Sequence, residues 1–233
     1  LDSVYSHLQG GVWDLSNSGN MARKVLFKAC SDDESCKRHF PDLESTFNSI
    51  LTELDVNPSI IPVEINGQSF DAFFTRSESW NGIYQTLYDE TQIPLIPFIA
   101  IALQTNNTAL LAPLIANGYE NVTSYSDGMS ISVECSELPY SWDLEKETEI
   151  IQNPGDWSER IAIAHRSKCS VWPVDLVNPH FAEPVTSEIP ALGLAGIFDP
   201  VTPPSYTIKT LETLRNGQMV TFGNIGHGVI FPN

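Results

Sequence analysis

The chain has 233 residues, room for one large domain or two small ones. Hydrophobic residues make up 42% of it, so a packed globular core is expected rather than bulk disorder. Lys and Arg number 12 against 29 Asp and Glu, a formal charge of −17 that repels phosphate backbones and anionic lipid. Nucleic acid is therefore not an expected partner.

No apolar run approaches the ~20 residues that a bilayer-spanning helix needs. The best stretch, 93–103, is short and carries Pro94 and Pro97, so no membrane span is expected. Residues 1–5 carry no basic leader. They read as the end of a strand, and with no initiating Met the expectation is that the natural protein begins further upstream.

Residues 17–29 place Met21, Val25, Leu26 and Ala29 at helical spacing, with Ser16 or Asn17 as cap. Residues 41–54 repeat the pattern with Leu43, Phe47, Ile50, Leu51 and Leu54, and Pro41 suits a first turn. The period then changes. Asn66-Gly67 lies between the short segments 62–65 and 68–73, which predicts a β-hairpin. Helical spacing returns over 79–88, 93–104 and 108–117. Residues 129–135 alternate and predict a strand, and 145–151 and 156–168 predict helices.

Residues 191–198 form a near-continuous apolar run ending at Asp199-Pro200, the pattern of a strand buried on both faces of a parallel sheet. Pro203-Pro204 opens a helix to Leu214, with Ile208, Leu211 and Leu214 on one face. Asn216-Gly217 stops it, and 218–222 reads as another strand. The order predicts a βαβ unit with a right-handed crossover. Two parallel strands leave apolar edges exposed, so further strands are expected from a preceding segment.

Asp199 falls at the carboxyl end of the first of these strands, and His227 follows the second in the loop Gly226-His227-Gly228. Functional groups of open α/β sheets collect beyond the carboxyl ends of the strands. A carboxylate that accepts from one imidazole N–H fixes the tautomer and leaves the other nitrogen to deprotonate a nucleophile. Asp199 and His227 are therefore the candidate catalytic acid and base.

The four cysteines, Cys30, Cys36, Cys135 and Cys169, lack the paired Cys-x-x-Cys spacing of a zinc site. An even count with one close pair suits two disulfides in an oxidising compartment; the alternative is four buried thiols in a cytosolic protein. His7, His39, His165 and His180 show no metal spacing either, and no metal is expected.

The run Gly196-Ile197-Phe198-Asp199-Pro200-Val201-Thr202-Pro203-Pro204, followed by Gly226-His227-Gly228, resembles the C-terminal region of α/β-hydrolase serine exopeptidases. More narrowly it resembles the tripeptidyl aminopeptidase and proline iminopeptidase-like group. Leu1-Asp2-Ser3-Val4 resembles that family's strand after the nucleophile elbow. Cys30 to Asp42, as Cys-x5-Cys-x4-Pro-Asp, resembles the start of its helical cap. Val133-Glu134-Cys135-Ser136-Glu137 resembles the strand returning from the cap, and Cys169-Ser170-Val171-Trp172-Pro173 the stretch before the acid-bearing strand. The resemblance covers most of the chain.

It implies an α/β fold: the C-terminal part of an α/β-hydrolase, a parallel sheet with crossover helices, carrying an inserted helix-rich cap domain. Residues 1–12 would be a core strand end and loop, 13–168 the cap, and 169–233 the segment bearing Asp199 as triad acid and His227 as general base. It also implies disulfides Cys30–Cys36 and Cys135–Cys169, a secreted or periplasmic location, no cofactor, and a peptide substrate. The nucleophilic serine would sit in a Gly-x-Ser-x-Gly turn, which none of the 233 residues form. It would come from the missing N-terminal segment of the same protein. Cap carboxylates in related enzymes recognise a free substrate amine; Glu137, Glu134 and Glu90 are the candidates, with Glu137 preferred. Two other functions stay open: an esterase or other capped α/β-hydrolase with the same acid–base pair, and a non-catalytic binding fragment.

Overall fold

The computed structural model describes residues 1–6, 12–105, 107, 109–113, 115–116, 126–137, 145, 148 and 167–230. Two compact units divide the chain: Lys24–Tyr125 is one, and Leu1–Arg23 with Ser126–Asn233 is the other.

Within Lys24–Tyr125, the C-terminal part of helix α1 (Val12–Asp32) leads into the short α2 (Glu34–His39) and then α3 (Leu43–Val56). The Asp33 carboxylate caps α2 by accepting from the Cys36 amide at 2.7 Å, and a Cys30–Cys36 disulfide ties the two helices. The apolar stripe of α3 is buried as its spacing predicts: Leu43, Phe47, Ile50, Leu51 and Leu54 face inward. Phe47 packs at a tilt against Phe27 and Trp80, with ring centroids 5.8 and 6.5 Å apart. Pro41 sits outside α3, in the turn before it; Asp42 is the N-cap residue.

The hairpin forms as expected. Strands β1 (Ser59–Ile65) and β2 (Gln68–Phe74) pair antiparallel, with Ile65 opposite Gln68. Asn66 and Gly67 have φ of 52° and 74°, the two positive values a tight hairpin turn needs to match strand twist. Ile61, Val63, Ala72 and Phe74 face the core while Ile60 and Phe73 are exposed. Helix α4 (Arg76–Thr86) begins three residues earlier than its apolar spacing predicts. The cause is a capping box: Thr75 Oγ1 accepts from the Ser77 amide, and the Glu78 carboxylate accepts from the Thr75 amide. A 3₁₀ turn (Ile93–Leu95) and α5 (Ile96–Gln104) follow; α3 packs against both α4 and α5. Residues 109–113 are helical, as expected.

The other unit departs from expectation at residues 129–135. They are not a strand but part of helix α6 (Asp127–Glu137). Met129 and Val133 are exposed and Cys135 and Ser136 buried, so the alternation of apolar residues does not follow a buried face. A disulfide joins Cys135 to Cys169, which lies in the helical residues 167–171. Ser136 O accepts from the Val177 amide at 3.0 Å, and Trp172 Nε1 donates to Ser132 Oγ at 3.0 Å. Helix α1 also starts earlier than expected, at Val12 rather than after Ser16. The helices expected over 145–151 and 156–168 fall almost wholly outside the described residues.

Strand β3 (Ala191–Gly196), helix α7 (Pro204–Leu211) and strand β4 (Gly217–Phe222) form the expected βαβ unit, with β3 and β4 parallel from Ala191 opposite Gly217 to Gly196 opposite Phe222. On the other edge of β3, Asp2 makes a parallel bridge to Leu194. Leu194 N donates to Leu1 O at 2.9 Å and Ser3 N to Leu194 O at 3.0 Å. Two details differ from the sequence reading. Leu192 is 49% exposed, so β3 is not buried on both faces along its length. Helix α7 ends at Leu211, turns Tyr206 and Thr207 inward and leaves Ile208 exposed. Gly193 admits α7 against the strand: a Cβ there would lie 2.4 Å from Thr207 Cγ2.

No described helix is long and apolar enough to cross a membrane.

Candidate active site

The segment after β3 fixes Asp199 by local chemistry. Pro200 restricts the residue before it to extended backbone, and Pro203 and Pro204 supply preset φ values where α7 begins. Between them, Asp199 folds back on its own neighbours. Its Oδ1 accepts from the amides of Val201 and Thr202 at 2.8 and 2.7 Å, and its Oδ2 accepts from Thr202 Oγ1 at 2.7 Å. Asp199 is fully buried, and this set of donors offsets the desolvation of a carboxylate.

The structure brings His227 to the same carboxylate. Its Nδ1 lies 3.1 Å from Oδ1 and 3.0 Å from Oδ2 of Asp199, and 3.2 Å from Thr202 Oγ1. A carboxylate only accepts, so the contact assigns the proton to Nδ1 and leaves Nε2 as the basic nitrogen. The His227 side chain is 27% exposed, in contrast to the fully buried Asp199.

The His227 loop is held on both flanks. Before the histidine, Ile225 O accepts from the Phe198 amide at 3.1 Å. Gly196 lets the loop come this close: a Cβ on it would lie 2.2 Å from Gly226 O and 2.3 Å from Ile225 O. After the histidine, Ser3 Oγ accepts from the Gly228 amide at 2.9 Å. The Asp2 carboxylate accepts from the Val229 amide at 2.9 Å and the Ile230 amide at 2.9 Å. Burial pushes the Asp2 carboxyl up, but the Ile230 and Val229 amides, the Ser3 hydroxyl and the nearby His227 ring together hold it below its ordinary value of 3.8.

Asp2, Ser3 and Thr202 escape a reading of the sequence for chemistry. Thr202 carries a local signal, a hydroxyl three positions after an acidic residue ahead of a helix. Asp2 and Ser3 carry none, because their partners lie more than 220 positions away.

Glu137 is the last residue of α6 and is partly buried. Among the described residues no hydrogen bond or ion pair joins it to Asp199 or His227. Glu134 accepts from Ser130 Oγ at 2.8 Å, and Glu90 keeps one buried carboxylate oxygen without a hydrogen-bond partner among the described residues. Both disulfides have the pairing the resemblance implies, Cys30–Cys36 and Cys135–Cys169. No group of three His, Cys, Asp or Glu among the described residues is placed to hold a metal ion. A cleft of about 800 Å³ lies in the Lys24–Tyr125 unit, lined by Phe27, Phe40, Leu43 and Asn48 among others. Neither Asp199 nor His227 borders it, so its size says nothing about the acid–base pair.

No curated protein matches this chain. The profile of the family described as TAP-like protein matches residues 154–233, the stretch that contains β3, α7, β4, Asp199 and His227, and this match supports an α/β-hydrolase family.

Proposed function

We propose that the chain is the cap and C-terminal portion of a serine hydrolase that releases short peptides or single residues from peptide N-termini. The observation that carries the reading is the buried Asp199 carboxylate 3.0 Å from His227 Nδ1 at the carboxyl ends of two parallel strands. The TAP-like match over the same residues supports it. So does the compact, largely helical unit Lys24–Tyr125, which supports reading that part of the proposed 13–168 cap as a separate body; Asp199 and His227 belong to the other unit. Two disulfides support a secreted or periplasmic setting.

In this mechanism a serine hydroxyl attacks the peptide carbonyl while His227 Nε2 takes its proton. Asp199 holds the ring and stabilises the imidazolium. The proton passes to the leaving amine, and water, deprotonated by the same nitrogen, then releases the acyl group from the serine. No Gly-x-Ser-x-Gly occurs in the 233 residues, so the serine belongs to a segment outside them. Glu137 is proposed to pair with the free amine of the substrate.

The test is a panel of chromogenic amides with free N-termini against matched esters, hydrolysed by the whole protein and followed by labelling with a serine-directed fluorophosphonate. Amide cleavage with label on a serine outside residues 1–233 is the expected result. Ester cleavage alone overturns the peptidase assignment, and label on a serine within 1–233 overturns the placement of the nucleophile.

A further inference from the structure

Three consecutive amides immediately after His227 are bound by two consecutive side chains from the opposite end of the chain. Gly228 N donates to Ser3 Oγ, and Val229 N and Ile230 N donate to the Asp2 carboxylate, all at 2.9 Å. The loop that follows β4 has no helix or strand of its own through Ile230. These bonds help to hold it, together with the Ile225–Phe198 bond before the histidine and the ring's own contacts with Asp199 and Thr202. Asp2 itself is fixed, because its bridge to Leu194 places it in register beside β3, the strand whose end presents Asp199. β3 thus presents the acid, and the residues bridged to its edge hold the loop of the base. The brace carries local strain: Ser3 has φ of 48°, a left-handed backbone disfavoured for a residue with a Cβ. Gly228, its partner, has φ of 84°. Glycine adopts this backbone freely, but at Ser3 it persists only where surrounding contacts enforce it.

We propose that Asp2, assisted by Ser3, is a positioning residue for His227: the Asp2 carboxylate fixes the amides after the histidine and so holds Nδ1 on Asp199. Asp2 acts through the loop and touches no reactant. The charge is part of the device: an ionised carboxylate gathers two amides more strongly than a neutral acceptor does. Only the kinetic consequence rests on the hydrolase reading; the positioning itself is a property of the fold.

The test compares wild type, Asp2→Ala, Asp2→Asn and Ser3→Ala in the whole protein. Three readouts are hydrogen exchange at the Val229 and Ile230 amides, the downfield NMR signal of the His227 Nδ1 proton, and kcat and KM separately. Asp2→Ala is expected to lose amide protection and the Nδ1 proton signal. Its kcat is expected to fall about 10- to 100-fold with little change in KM, the size of loss a misplaced catalytic group gives. Asp2→Asn, which keeps an oxygen acceptor of the same size, should recover part of each. Should Asp2→Ala fail to fold, Asp2→Asn and Ser3→Ala carry the comparison. A folded Asp2 variant with an unchanged Nδ1 proton signal overturns the proposal, even where its thermal stability drops. A wild-type protein that shows the signal and its loss in Asp2→Ala, yet hydrolyses neither amides nor esters, overturns the hydrolase reading and leaves the positioning role standing.

Discussion

His227 Nδ1 and Asp199 Oδ2 lie 3.0 Å apart across 28 positions of sequence. The contact joins a partly exposed ring to a fully buried carboxylate that also accepts from the Val201 and Thr202 amides and from Thr202 Oγ1. Asp199→Asn keeps the shape and replaces an acceptor by an amide that can donate to Nδ1. The ring then takes the wrong tautomer. The expected outcome is a fold retained by circular dichroism and a kcat reduced about 10⁴-fold, the magnitude known for this change in Ser-His-Asp sites. An Asn variant with near wild-type kcat contradicts the assigned role.

Gly196, by having no side chain, lets the His227 loop pack directly on the end of β3. Gly196→Ala places a carbon 2.2 Å from Gly226 O, a backbone atom with no rotamer to give way. The loop must shift, so the Nδ1–Asp199 distance grows. A loss of about 1–3 kcal/mol of stability is expected from the overpacking. An activity loss of about 100-fold is expected from the misplaced ring. Denaturant unfolding and steady-state kinetics measure the two separately.

The two disulfides differ in the length of chain they close. Cys135–Cys169 spans 34 positions and Cys30–Cys36 spans 6. Loop-closure entropy assigns about 4 kcal/mol to the longer and about 2 kcal/mol to the shorter. Replacing the Cys135–Cys169 pair by serines is therefore expected to lower the denaturation midpoint by more than replacing Cys30–Cys36, as urea unfolding of the two double variants will show.

Acid acts on Asp2. Its folded-state carboxyl titrates below the ordinary 3.8, so its contribution to stability is complete above that value and disappears as pH falls through the depressed one. Asp89 behaves in the same direction: burial pushes its carboxyl up, but the Thr91 hydroxyl, the Gln92 side chain and the Thr91 amide together hold it down. Melting temperature measured against pH should fall below pH 3.8 in wild type and fall less steeply there in Asp2→Asn.

Much of this arrangement is visible in the residues, for physical reasons. Asn66-Gly67 fixes a hairpin because few residue pairs accept two positive φ values. Leu43 to Leu54 announces α3 because a half-buried helix must repeat its apolar residues at 3.6. Asp199 and His227 are legible because strand ends and flanking glycines and prolines mark them. Met129 to Cys135 misleads because α6 buries only Cys135 and Ser136 fully: no continuous buried stripe orders its apolar residues, and a chance alternation imitates a strand. Ile208 misleads for the same reason, since the inward face of α7 is set by Tyr206 and the small Thr207 against Gly193. The brace of Asp2 and Ser3 on residues 228–230 is illegible from spacing, because only the folded sheet makes the two ends neighbours.

The most direct measurement is the rate at which the whole protein cleaves N-terminally free amides, wild type against His227→Ala, with folding of the variant verified. With His227 Nε2 as general base, the variant loses at least about 10³-fold in kcat. Undiminished cleavage by a folded His227→Ala protein would contradict it.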